Sequence, residues 1–350
     1  MNTSTKNFIS SLFSQYGIMH FGWTKLTRPL SMDLYSKWIE DDLYLDMTYL
    51  KNHQYKKEHP RELTKAQSAI VFVIPYLPHP WPEKSKISSL PIALYAQGKD
   101  YHTEVPKVIT PLLDQLKLNF PEEFFEFYTD SAPVMERDLA YKAGLGWIGK
   151  NTCLIHPKFG SLFFIAEIYT SLSLQNDNPW SSDFCGTCNK CIEACPTNAI
   201  SPERKLEPSK CISYWNIESK NTPPVKLRSS IGSWLFGCDI CQTVCPWNQK
   251  HLKQKIESEK HIDRNAQLEE LHWILTSSRK TLARYFSTTP LARVAGWKLQ
   301  RNAIIVITNN RYVELATHIQ PFMNDSKLSE IATWSLGIIK QIDMEKPAIL

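Results

Sequence analysis

CGTCNKCIEACP, residues 185–196, is the stretch on which the reading of the chain turns. Four cysteines in eleven positions, closed by a proline, suit metal ligation better than packing. The spacing is Cys185-x2-Cys188-x2-Cys191-x3-Cys195-Pro196, and a second set follows as Cys211, then Cys238-x2-Cys241-x3-Cys245-Pro246. Three thiolates at x2 spacing wrap three corners of a 4Fe–4S cube, while a cysteine before proline reaches across to a neighbouring cube. The first cube then takes Cys185, Cys188, Cys191 and Cys245, and the second takes Cys238, Cys241, Cys211 and Cys195. Zinc is the competing reading, but a zinc ribbon needs only two cysteine pairs and no triplet ending in Cys-Pro. The ninth cysteine, Cys153, falls in an expected strand and reads as a buried thiol.

Around this stretch the chain has 350 residues, 43% hydrophobic and 21% charged, the composition of a globular protein large enough for two or three domains. Its most apolar run, AIVFVIPYL at 69–77, is strand-sized and too short to span a membrane. The N-terminus has neither a basic-then-apolar leader nor a twin-arginine pair, so a cytoplasmic location is expected. Disulfides are rare there, and eight of the nine cysteines fall within 185–245. Net charge is only +5, but Leu271 to Val313 carries seven basic residues and no Asp or Glu. Such a one-signed stretch is either a solvated helix surface or the footprint of a polyanion.

Three regions are expected in an α+β multidomain chain. Residues 1–175 form an α/β domain: TEVPKVITPLLDQLKL spaces Val105, Val108, Ile109, Leu112, Leu113 and Leu116 along one helix face. AIVFVIPYL reads as a buried strand, and NTCLI with SLFFIAEIY as a hairpin about the turn HPKFG. Residues 176–250, rich in Cys, Pro and Asn, form a small domain organised by its ligands. Residues 251–350 are helical, and LQRNAIIVITNN, YVELATHIQPFM and LSEIATWSLGII suggest paired short helices of HEAT type.

Single-electron clusters need a user, and a simple carrier would not need the first 175 residues. GLGWIG, with Gly144, Gly146 and Gly149, matches a dinucleotide fingerprint in letters only. That fingerprint follows a strand and opens a helix, whereas here the helix-like VMERDLAYKA precedes the glycines and a strand follows. Gly144 reads instead as a helix C-cap.

The blocks DSAPVMERDLAYKAGLGWIGKNTCLI, GSLFFIAEI, CGTCNKCIEACPTNAI, CISYWNIESK and GCDICQTVCPWN, in this order, resemble the signature blocks of the epoxyqueuosine reductase family. Weaker likeness extends through LDMTYLKNH, HPRELTKA, TPLAR and LQRNA, while IPYLPHPWPEK departs from the family pattern. The resemblance implies a cobalamin enzyme fed by two 4Fe–4S clusters, which removes the epoxide oxygen of epoxyqueuosine in a tRNA anticodon loop. It implies Asp130 as the proton donor, kept protonated by Tyr128, Pro133, Val134 and Met135. By residue chemistry alone, Asp130 or Ser131 would be a helix N-cap.

For the corrinoid the resemblance points to Tyr95, Tyr101, Ser131, Lys150, Asn151, Thr152, Ser161 and Ser213. The D-x-H-x-x-G motif that places histidine on cobalt is absent, because Val105 replaces its glycine after Asp100-Tyr101-His102. Cobalamin is therefore expected base-off, and His102 reads as structural or as pocket wall. Lys220, Arg293, Lys298 and Arg301 are the expected tRNA contacts. A low-potential flavodoxin- or ferredoxin-type donor and a monomeric chain complete the expectation. Two alternatives stand beside it: a cobalamin-dependent reductive dehalogenase, and a non-enzymatic electron carrier fused to a nucleic-acid-binding module.

Overall fold

The computed structural model describes residues 3–54, 65–76, 88–130, 132–174, 180, 182–258, 263–294 and 296–345. Its N-terminal half is built on a four-stranded sheet in the order β1 (Phe21–Lys25), β2 (Ser68–Pro75), β6 (Phe163–Thr170), β3 (Phe125–Tyr128). Every pairing is antiparallel, so this region is α+β rather than the expected α/β. The central strand β2 is apolar on both faces because both are covered. Ile70 and Phe72 face the helices Thr3–Gln15 and Tyr101–Asn119, whereas Ala69, Val71 and Val73 face the short helix Glu136–Lys142. The register Ile70↔Ile168 and Phe72↔Ala166 continues the first of these faces onto β6.

The expected amphipathic helix spans Tyr101–Asn119, with Val105, Ile109, Leu112 and Leu116 fully buried. Burial of four such side chains contributes about 1.5–3 kcal/mol each. Its N-cap, Asp100, accepts from the backbone N–H of His102 at 3.0 Å, and its own N–H donates to Thr288 O at 2.8 Å. The start of the helix is thereby tied to the C-terminal region.

HPKFG does turn, closed by paired His156–Gly160 backbone hydrogen bonds of 2.7 and 2.9 Å. The strands beside it are not hairpin partners, however. β5 (Leu154–Ile155) pairs with β4 (Trp147–Ile148), while β6 enters the large sheet. Cys153 lies in a bend ahead of β5, not in a strand, and burial of its thiol pushes the pKa up to about 11. The helix Glu136–Lys142 precedes the GLGWIG glycines, and Gly144 has φ +81°, the geometry of a C-cap and not of a pyrophosphate loop.

In the cysteine-rich region, each Cys-x2-Cys run feeds a one-turn helix, Lys190–Glu193 and Ile240–Thr243, and each helix ends just ahead of its Cys-Pro. The remainder of this region is not held by ligands alone. Ile212, Ile217, Ile231, Leu235 and Phe236 share one apolar core with Leu90, Ile92 and the C-terminal helices. Those helices include Arg264–Thr276, Arg279–Tyr285, Gly296–Asn309 and Ser329–Glu345. YVELATHIQPFM is not one helix but three short turns, Val313–Leu315, Ala316–Ile319 and Gln320–Asn324. Among the described residues no helix is long and apolar enough to cross a membrane.

Candidate active site and cluster-ligand quartets

Asp130 stands at the end of β3 in a left-handed conformation, φ +45°. An aspartate tolerates this conformation better than most residues, and its persistence here marks a position held by its surroundings. It caps no helix, because the next one begins at Glu136 with Met135 as its cap. Its carboxylate oxygen Oδ2 accepts from Tyr101 Oη, lies 3.5 Å from His102 Nε2 and lies 3.8 Å from an Arg293 guanidinium nitrogen. Its backbone N–H donates to Glu136.

The protonation of this group differs from the expectation. Burial is the largest single influence and works to raise the Asp130 pKa. Hydrogen bonds from His102 and Tyr101, with the Arg293 charge, together outweigh it and leave the carboxyl below its ordinary value. The proton resides instead on His102, whose pKa is pushed up to about 9, first by its hydrogen bond to Asp100 and then by that to Asp130. Asp100 Oδ1 lies 2.8 Å from His102 Nδ1, so one residue both starts the helix and orients the imidazole. Both ring nitrogens are thus engaged. Burial, followed by the Asp130 charge, drives the Tyr101 phenol pKa far upward and keeps it a donor.

Three regions of the chain meet around Asp130. Tyr49 and Tyr95 each feel the charges of Glu218, Arg293 and Asp130, and Arg293 also feels Tyr101. Tyr95 belongs to a turn, Leu94–Ala96, that is pinned to the cysteine-rich region: Leu94 N–H donates to Asp239 Oδ2 at 2.5 Å. Asp239 is the first residue between Cys238 and Cys241. The wall of the Asp130 site is therefore bonded directly to a ligand loop.

The eight thiols sort into two groups by mutual influence. Cys191 is affected by Cys185, Cys245 and Cys188, and Cys245 by Cys185 and Cys188. Cys238 is affected by Cys211 and Cys195, and Cys241 by Cys238 and Cys211. A single cavity is lined by Cys185, Cys188, Cys191 and Cys245. Among the described residues no three thiols, imidazoles or carboxylates gather at single-ion range. A cube distributes its ligands over four separate irons, and two quartets with these memberships fit that demand.

The other expected site residues divide. Tyr95 and Tyr101 line the Asp130 site, and Ser213 lies beside Cys211, whose thiol is influenced by its backbone. Ser131 lies outside the described residues. Lys150 is at the first quartet and not at the Asp130 site, donating to Gly186 O and Asn189 Oδ1, both at 2.9 Å. Asn151 is buried against the same cavity, and its Oδ1 accepts from Cys153 N–H at 3.2 Å. Thr152, at φ +65°, offers its carbonyl to Arg137. Ser161 is buried and joins two regions, its N–H donating to Asn248 Oδ1 at 2.7 Å and its hydroxyl to Gln242 at 2.9 Å. These bonds tie Lys150 and Ser161 to the cysteine-rich region, whereas Asn151 keeps a buried Nδ2 with no hydrogen-bond partner among the described residues.

The basic stretch is also broken up by folding. Arg301 has no exposed surface; it donates to the carbonyls of Trp215, Ser219 and Asn221 at 2.5, 3.0 and 2.6 Å. A phosphate contact by Arg301 is thereby overturned. Lys298 is partly buried on the carbonyls of Ile217 and Glu218, and Arg279 pairs with Asp325 at 2.5 Å. Arg293 faces Asp130, and Lys220 is exposed. The reading from sequence left His102 as structural or pocket wall, and it missed Asp239 and Glu218 as parts of the site. Only the Asp-x-His spacing at 100–102, an N-cap that also reaches an imidazole, carried a signal for any of them.

Residues 57–131 match the family model described as "Epoxyqueuosine reductase QueG, DUF1730", and residues 184–248 match "4Fe-4S double cluster binding domain". An epoxyqueuosine reductase of Cyclobacterium marinum is 40% identical over 266 residues, 76% of this chain and 84% of the relative. One of Francisella cf. novicida is 37% identical over 290 residues, 79% of each chain. A crystal structure of selenomethionine-labelled epoxyqueuosine reductase superimposes with a TM-score of 0.77 at 26% identity, covering 99% of this chain and 96% of that one. A crystal structure of epoxyqueuosine reductase with an epoxyqueuosine-modified tRNA-Tyr stem loop gives 0.78 at 26% identity, covering 99% and 95%.

Proposed function

The chain belongs to the epoxyqueuosine reductase family, and from that membership we propose that it reduces epoxyqueuosine to queuosine in a tRNA anticodon loop. The balance is one epoxide, two electrons and two protons giving one alkene and one water. Cobalamin, when bound, supplies the low-valent cobalt centre for this reduction, and two 4Fe–4S clusters supply electrons singly. The first quartet, Cys185, Cys188, Cys191 and Cys245, would hold one cube, and Cys195, Cys211, Cys238 and Cys241 would hold the other; Asp239, between Cys238 and Cys241, bonds Leu94 beside Tyr95. With both nitrogens of His102 engaged, cobalamin without a protein histidine on cobalt is consistent with the site.

The observation that carries the reading is the convergence of Tyr101, His102 and Arg293 on Asp130 Oδ2 beside a ligand loop. Asp130 is exposed enough to meet substrate, with 52% of its side chain accessible. Its role differs from that of a simple buried acid. The imidazolium of His102 passes its proton by way of Asp130 Oδ2 to the departing oxygen, so the pair supplies one of the two protons and solvent the other. Arg293 holds charge near the same atom, and Tyr101 orients the carboxylate. The helical C-terminal region, in the manner of a HEAT-like unit, would cradle the stem loop with Lys220, Lys298 and Arg293 at the rim, since its modified base must leave the loop to reach the site.

Asp130→Asn is expected to retain iron and corrinoid and to lose at least about 100-fold in turnover. Mass spectrometry of nucleosides from tRNA carrying epoxyqueuosine measures this. Queuosine formed at the wild-type rate would remove Asp130 as the donor. The dehalogenase alternative predicts loss of halide from halogenated aromatics and no action on tRNA.

A further inference from the structure

The two quartets differ in their surroundings. The loop of the second is packed inside: Leu235, Phe236 and Asp239 are at most 2% exposed and Ile212 is 3% exposed. The loop of the first lies at the surface, where Gly186, Thr187, Asn189 and Lys190 are all exposed. The cavity lined by its four thiols is bordered by Lys150 and Lys190 and by no carboxylate. Asp183, ahead of Cys185, is paired with Arg204, and the exposed Glu193 ends the one-turn helix that Lys190 begins. Exposed Lys158 and Lys250 extend the positive charge beyond the cavity, with Lys250 on the helix that starts after Cys245.

An aromatic floor underlies this face. Trp147 packs on Trp180, Phe184 and Trp247 at centroid distances of 5.8, 5.2 and 5.0 Å. Phe184 nevertheless leaves 51% of its surface exposed at the cavity rim. An exposed aromatic anchor on a rigid base, beside a cavity whose only charged lining residues among those described are Lys150 and Lys190, is the composition of a transient protein interface. The face is also remote in connectivity from Asp130, which is wired to the second quartet through Tyr95 and Asp239.

Resting on the cluster assignment above, we propose that this face, Phe184 with Lys150, Lys190 and Lys250, is the docking site of a small acidic one-electron carrier protein. Electrons enter at the first cube, pass to the second and leave toward the Asp130 site. Each encounter moves one electron. With a flavodoxin as carrier, the anionic hydroquinone becomes the neutral semiquinone and one oxidised cube becomes reduced, with no proton transferred. Two encounters supply one turnover.

The test uses the cluster-loaded enzyme and a flavodoxin as the probe. Lys190→Glu with Lys250→Glu is expected to weaken flavodoxin binding about tenfold or more at low salt and to flatten its salt dependence. Stopped-flow reduction of the clusters by flavodoxin hydroquinone should slow by a similar factor. Reduction by the methyl viologen radical, which needs no docking, should not slow. Unchanged flavodoxin binding in the variant overturns the proposal, as does displacement of flavodoxin by a tRNA stem loop, which would make the face a phosphate site. Iron analysis separates the two levels. A wild-type protein that takes up no iron overturns the cluster assignment itself, whereas an iron-loaded protein with charge-independent binding overturns the docking face alone.

Discussion

Asp130 and His102 show how one residue's chemistry is set by neighbours distant in sequence. Tyr128, Pro133, Val134 and Met135 are its apolar neighbours along the chain and imply a raised pKa. The tertiary partners Tyr101, His102 and Arg293 reverse that sign. A consequence follows for pH. The raised His102 pKa means that its contribution to stability is complete below its ordinary value of 6.5 and is lost as pH rises through about 9. The lowered Asp130 pKa contributes above its ordinary value of 3.8 and is lost as pH falls below it. Turnover is therefore expected to decline as pH rises through about 9, and His102→Gln should lower the rate and abolish that alkaline limb. A pH–rate profile of nucleoside conversion checks this; an alkaline limb that persists in the variant assigns the proton elsewhere.

At the scale of elements, two joints hold the cysteine-rich region to its neighbours. The first is the HPKFG turn. Gly160 has φ +64°, and a Cβ there would lie 1.8 Å from Oδ1 of Asn248, the residue three beyond Cys245, which accepts from Ser161 N–H. Gly160→Ala is expected to displace Asn248, loosen Cys245 and reduce iron from about eight per chain toward about four, read by iron analysis of reconstituted protein. The second joint is Arg301, which holds the π-helical turn Tyr214–Glu218 by its flanking carbonyls. Arg301→Met leaves three buried carbonyls without their donor and should destabilise by about 3–5 kcal/mol. Thermal unfolding measures it, and a tRNA defect with unchanged stability would restore Arg301 to the tRNA surface.

Over the whole molecule, the helical region meets the sheet region at several places: Asp100 N–H donates to Thr288 O, Ser88 and Ser89 bond Glu270, and Arg293 lies beside Asp130. Lys220→Glu with Arg293→Ala is expected to weaken stem-loop binding about tenfold and to reduce the salt slope by about 2, measured by titration at several salt concentrations. Much of this was legible in the sequence. Cysteine spacing carried the proposed quartets, because each run brings its own thiols together and its Cys-Pro reaches to the other run. Apolar periodicity determined the 101–119 helix and β2, because burial repeats with the backbone period. What tertiary structure decided were relations between segments far apart in the chain. The antiparallel sheet order is one, since a single strand's pattern does not name its partner. The fate of the basic stretch is another: charge is legible in sequence, but whether Arg301 meets solvent or buried carbonyls is settled only by packing. The protonation of Asp130 is the third, because a pKa responds to through-space charge and hydrogen bonding, and 29 residues of chain separate it from Tyr101.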